Sequence, residues 1–170
     1  MIEQHFLDDF LFQLRKLKAQ ADTAMAQVED AQFFALLDHD ANSIALIVKH
    51  VAGNMRSRWT DFLTTDGEKP DRHRDNEFER EAVDTRQAII ARWDAGWALL
   101  FTAIMSLGPG DLGRTVAIRG EPHTVVQAIN RQMSHYSSHV GQIVLLAKHY
   151  AWPKWKTLSI PKNTNRRIGE

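Results

Sequence analysis

The stretch Thr124–Tyr150, TVVQAINRQMSHYSSHVGQIVLLAKHY, decides how the chain reads. Thr124, with Gln127 three positions on, makes a capping box, in which hydroxyl and amide each reach an unpaired backbone donor of a first helical turn. Apolar side chains then recur at Val126, Ile129, Met133, Tyr136, Val140, Val144 and Ala147. Steps of three and four place them on one stripe, so the spacing predicts a helix from about Val125 to Tyr150. Beside the stripe runs a row of Gln132, His135, His139 and Gln142. The stretch contains no carboxylate, which excludes a ferritin-like di-iron bundle, whose helices need Glu and Glu-x-x-His. Tyr136, Ser137 and Ser138 separate the two histidines, so the glutamate base of a zincin protease is missing as well.

Working outward, Thr115–Ile118 is a short β-branched run bounded by Arg119-Gly120, read as a strand or half-hairpin before the last helix. Gly108-Pro109-Gly110 ends an earlier periodic segment, expected from about Glu81 to Leu107 with Val83, Ile90, Trp93, Trp97, Leu100, Phe101 and Ile104 buried. Residues 64–76 are almost wholly polar and are read as a long loop without a regular element. Before them, Ile44, Ile47, Val48, Val51, Met55, Trp59 and Phe62 mark a helix from Ser43 to about Leu63, with cap chemistry in residues 40–43. The first helix is expected from Ile2 to about Val28, on Phe6, Leu7, Phe10, Leu14, Leu17, Ala21, Met25 and Val28. A connector over residues 29–41 is anchored by Phe33, Phe34 and Leu37. Four long amphipathic helices without βαβ alternation give an all-α fold, a four-helix bundle with a short extended or hairpin piece before the last helix. Residues 1–170 read as a single domain with a basic tail from about residue 153, solvated or partly docked.

Composition removes several function classes. Lys plus Arg and Asp plus Glu each total 21, so there is no basic excess for a phosphate backbone, and nucleic acid is not an expected partner. There is no cysteine, which excludes disulfides, thiolate metal sites and a cysteine nucleophile. No G-x-G-x-x-G, Walker loop or G-x-S-x-G occurs. With no uncharged apolar run of membrane length and no signal-like start, no membrane contact is expected and the expected compartment is the cytoplasm.

Histidines carry the remaining signal. His135 and His139, four apart, share a helix face and can chelate a metal ion; the same spacing also suits two partly buried histidines bonded to neighbours. His50 lies beside Ile47 and Val51 with Asn54 one turn on. Three inward histidines from two helices leave a coordination position open, as at catalytic rather than structural sites. His123 precedes the capping Thr124 and is a candidate to line the site from the loop. His5 and His73 read as exposed, His39 as near a helix cap, and His149 as a favourable charge at a helix C-terminus.

The segments 42–55 (NSIALIVKHVAGNM), 65–70 (TDGEKP), 118–123 (IRGEPH) and 135–143 (HYSSHVGQI) resemble the DinB-like superfamily, and more narrowly a small uncharacterised bacterial branch. The resemblance covers the chain from the first helix through Tyr150. It implies a four-helix bundle in which His50, His135 and His139 bind a divalent ion, commonly zinc or nickel, and a homodimer. Characterised relatives include thiol S-transferases, such as bacillithiol transferases, and isomerases using mycothiol or glutathione. The resemblance therefore implies transfer of a low-molecular-weight thiol to an electrophile, or hydrolysis at the metal. A cosubstrate would supply the sulfur that this cysteine-free chain lacks. No catalytic residue is singled out. Asn54 and Gln142 are candidates to bond a ligand histidine or a substrate, or are ordinary amides satisfied by backbone. Arg131, one turn before His135, could take a carboxylate of the thiol by a bidentate contact, or be a surface arginine. The competing reading is a non-enzymatic metal-binding or stress-related protein, and a third is a bundle holding an apolar ligand.

Overall fold

A computed structural model describes residues 2–161. The chain runs α1 (Ile2–Met25), α2 (Asp30–Phe33), α3 (Ile44–Trp59), α4 (Arg86–Met105), β1 (Thr115–Ile118), β2 (Glu121–Thr124) and α5 (Val125–Tyr150), with 3-10 turns at Arg74–Phe78 and Pro109–Asp111. The fold is all-α: α3 packs along α4 and α1 along α5, and contacts of α3 with α5 and of α1 with α4 close the four-helix bundle. Its centre is aromatic, with Trp93, Trp97 and Tyr136 fully buried. Trp59 Nε1 donates to the Tyr136 hydroxyl at 2.9 Å, and that hydroxyl donates to Asn54 Oδ1 at 3.1 Å.

Local chemistry sets the ends. Ser43, Thr85 and Thr124 cap α3, α4 and α5 by accepting from Leu46, Ala88 and Gln127 backbone amides, and Thr124 with Gln127 closes the expected capping box. The piece before the last helix is a true hairpin, with Thr115 opposite Thr124 and Ile118 opposite Glu121. Arg119 (φ 57°) and Gly120 (φ 75°) form its left-handed two-residue turn. Asp66 braces that turn, its carboxylate accepting from the Arg119 and Gly120 amides at 2.9 and 2.7 Å.

Three expectations are corrected. The third long helix begins at Arg86 rather than near Glu81; Val83 is exposed, and Ile89, not Ile90, is fully buried. Asp84 holds the preceding residues as a turn by accepting from the Glu81 amide and from Lys49 Nζ at 2.9 and 2.7 Å. Leu37 is half exposed, leaving Phe33 as the buried anchor of the first connector. The polar loop does contain a regular element where it ends, the turn Arg74–Phe78, which ion pairs rather than apolar burial hold in place.

By length and composition α4 is apolar enough to cross a membrane, the one described helix that is. In the fold it carries Arg92 and Asp94 and lays Gly96 against Met55 of α3. The tail begins docked: the Lys156 backbone amide and carbonyl both bond the Gln27 side chain, at 2.6 and 3.0 Å. Its basic residues Lys162, Arg166 and Arg167 lie outside the described residues.

Candidate metal centre

His50 projects from α3, and His135 and His139 from successive turns of α5, where the two helices meet. His50 is buried and the α5 pair half-buried. One ring nitrogen from each lies within 4.8 Å of the others. His135 Nε2 sits 3.3 Å from His50 Nε2 and 3.1 Å from His139 Nε2. Metal–nitrogen bonds of about 2.1 Å at octahedral to tetrahedral angles put neighbouring donors roughly 3.0–3.4 Å apart, so His135 already has the spacing of a ligand neighbour to both His50 and His139.

The outer nitrogens show which way the lone pairs face. His50 Nδ1 lies 2.8 Å from Glu77 Oε2, and His139 Nδ1 lies 2.8 Å from Gln142 Oε1. A carboxylate and an amide oxygen only accept, so both Nδ1 atoms carry the hydrogen and both Nε2 lone pairs face the centre. Burial drives the His135 pKa down to about 3, aided by His139, His50, Arg72 and Arg58. Burial also lowers His139, with His50 acting in the same sense and the Gln142 bond against it. Three imidazoles, two of them with Nε2 turned to the centre by their outer bonds, are a donor set a divalent cation satisfies, and these residues fit one. Three imidazoles suit several divalent metals, so the donor set does not choose among them.

Glu77 was not foreseen from the sequence. It is 7% exposed, at the 3-10 turn, and Arg72 holds it by two parallel bonds of 2.8 Å. Burial works to raise its carboxyl, but bonds from His50 and Arg72 and the Arg72 charge outweigh burial and hold it below the usual glutamate range. Phe78, next in the chain, stacks on the His50 ring with centroids 4.7 Å apart. The available signal was Phe78, a single aromatic among charged residues, with Gly53 one turn after His50.

The other candidates divide. Gln142, though exposed, bonds His139, and buried Asn54 bonds Tyr136 while lining the cleft beside His50 and His135. Arg131 is exposed and lines the same cleft. His123 is not brought to the cleft; its Nδ1 lies 3.0 Å from the carbonyl of Glu121 in its own strand. His5, His39, His73 and His149 are exposed.

A comparison with curated proteins finds no match. Residues 1–164 match a family described as a protein of unknown function, DUF1572, and with that span covered the chain belongs to this DinB-like family.

Proposed function

We propose that the protein is a metal-dependent enzyme that transfers a low-molecular-weight thiol to a small electrophile at a centre of His50, His135 and His139. The observation that carries this reading is the convergence of three Nε2 atoms, two with outer nitrogens fixed by Glu77 and Gln142. A divalent ion held there, zinc or nickel, would favour ionisation of a thiol brought to it. His50 and His139 present fixed lone pairs because their tautomers are set from outside. Glu77 and Phe78 hold the His50 ring between a charge and an aromatic face. His50 and His135 also line the neighbouring cleft, from which a substrate would reach the centre. The missing sulfur is supplied by the cosubstrate, since the chain has no cysteine. A cytoplasmic homodimer belongs to the same proposal, and sedimentation of the purified protein tests the dimer.

Elemental analysis of protein made without a histidine tag is expected to give one divalent ion per chain. Turnover is expected against some member of a panel of thiols and electrophiles. His139→Ala should lose both; unchanged stoichiometry and activity would overturn the proposal. One bound ion whose removal destabilises the fold, with no turnover on any panel member, would instead mark a brace between α3 and α5.

A further inference from the structure

Beside the trio lies a cleft of about 190 Å³ whose wall is unusual in charge. Arg58, Arg72, Arg74, Arg119 and Arg131 line it, from α3, the connector between α3 and α4, the hairpin turn and α5. Among the described residues no carboxylate lines it. Glu68 and Glu77 lie behind the wall and answer three of the arginines, Arg58, Arg72 and Arg119. Arg131 has no hydrogen bond or ion pair among the described residues.

Arg58 shows that the compensation is incomplete. It is 4% exposed, and its Nε and Nη1 have no partner among the described residues, although Nη2 reaches Glu68 at 3.3 Å. Burial lowers its pKa, and the nearby Arg72 and Arg119 charges act in the same direction against Glu68. A buried guanidinium left short of acceptors is costly and is relieved by an anion. His135 Nδ1 is likewise buried without a partner among the described residues.

We propose that this cleft is an oxyanion subsite, in which Arg58 and Arg131 bind the carboxylate or phosphate group of a small ligand directly beside the three histidines. The assignment rests on the metal-centre reading for its purpose, because the anion anchors the molecule on which that centre acts. Ligand pockets for whole drug-sized molecules span roughly 300–1,000 Å³, so this cleft takes a short acid or the charged end of a longer molecule. Guanidinium forks match carboxylate and phosphate oxygens in pairs.

Calorimetric titration of the full chain, metal-free and zinc-loaded, with malate, with inorganic phosphate and with neutral malamide tests the subsite at constant ionic strength. Saturable one-to-one binding of malate or phosphate, but not of malamide, is expected in both forms, and the arm that binds identifies the oxyanion. Arg131→Gln is expected to weaken it about tenfold or more, and Arg131→Glu to abolish it. Zinc affinity by chelator competition should stay unchanged in Arg131→Gln. No saturation with either anion, or affinity unchanged by both Arg131 variants, overturns the proposal. Binding confined to zinc-loaded protein and indifferent to Arg131 also overturns it, since the anion then ligates the ion alone. Anion binding in a chain that takes up neither zinc nor nickel upholds the subsite and sinks the metal centre.

Discussion

Gly53 and Glu77 occupy one space between them. A Cβ on Gly53 would overlap the Glu77 carboxylate, so the bare backbone of α3 at that position is what lets the carboxylate reach His50 Nδ1. Gly53→Ala should therefore displace Glu77 and release the His50 ring. Loss of such an outer hydrogen-bond partner typically costs 10–100-fold in metal affinity, and zinc competition against a chromophoric chelator is expected to show a loss of about that size. Gly141→Ala is the control: it lies on α5 near the ligands, but a Cβ there meets nothing within 4 Å. Its affinity should be unchanged and its stability raised by about 0.5–1 kcal/mol through helix propensity. Equal zinc affinity in the two variants would remove Glu77 from the centre. Of this arrangement the sequence displayed only the helical half. His50, His135 and His139 fall on inward rows that three- and four-residue steps make visible, whereas Glu77 is placed by bonds across 27 residues, for which no periodicity exists.

Charged anchors, rather than apolar burial, shape the connector between α3 and α4. Lys49, 7% exposed, donates to the Glu79 carbonyl at 2.8 Å and to Asp84 at 2.7 Å, while Arg92 meets the other Asp84 oxygen at 3.0 Å. Asp84 in turn holds the Glu81 amide, which is why α4 starts at its Thr85 cap and not at the apolar Val83. Burial works to raise the Asp84 carboxyl, yet the Lys49 and Glu81 bonds and the charges of Lys49 and Arg92 keep it below the ordinary aspartate range. A carboxyl depressed on folding stabilises the fold at pH values above its unfolded pKa, near 3.9, and loses that contribution as pH falls through the folded value. Asp84→Asn is expected to cost about 3 kcal/mol at pH 7, as breaking a buried ion pair does. In urea melts the gap to the parent chain should persist at pH 5 and shrink below about pH 4; a gap independent of pH would refute the assignment. Periodic spacing located the four long helices because each buries a stripe. It misjudged the α4 start because Val83 continues the apolar pattern on a backbone already committed to the Asp84 turn.

Three chain segments distant in sequence meet at the centre: α3 with His50, the connector with Arg72 and Glu77, and α5 with His135 and His139. The hairpin joins them through Asp66, and the Gly67 amide bonds the Ala117 carbonyl at 2.8 Å. Equal totals of 21 acidic and 21 basic residues concealed this clustering, since composition averages over the surface while the fold gathers five arginines at one cleft. An ion bound by the folded chain and not by the unfolded one adds its binding free energy to stability, about 2.7 kcal/mol at one hundred times Kd. For a chain of this size each kcal/mol moves Tm by about 2–4 °C, so zinc loading should raise Tm by roughly 5–11 °C over chelator-treated protein. The gain should also appear locally. Because Glu77 holds His50, fixing the ring fixes residues 72–78, and amide hydrogen exchange there should slow on loading although none of those residues is a ligand. His139→Ala should lose the Tm gain and the added protection together. Protection of α5 without protection of residues 72–78 would show that the connector is not mechanically part of the centre.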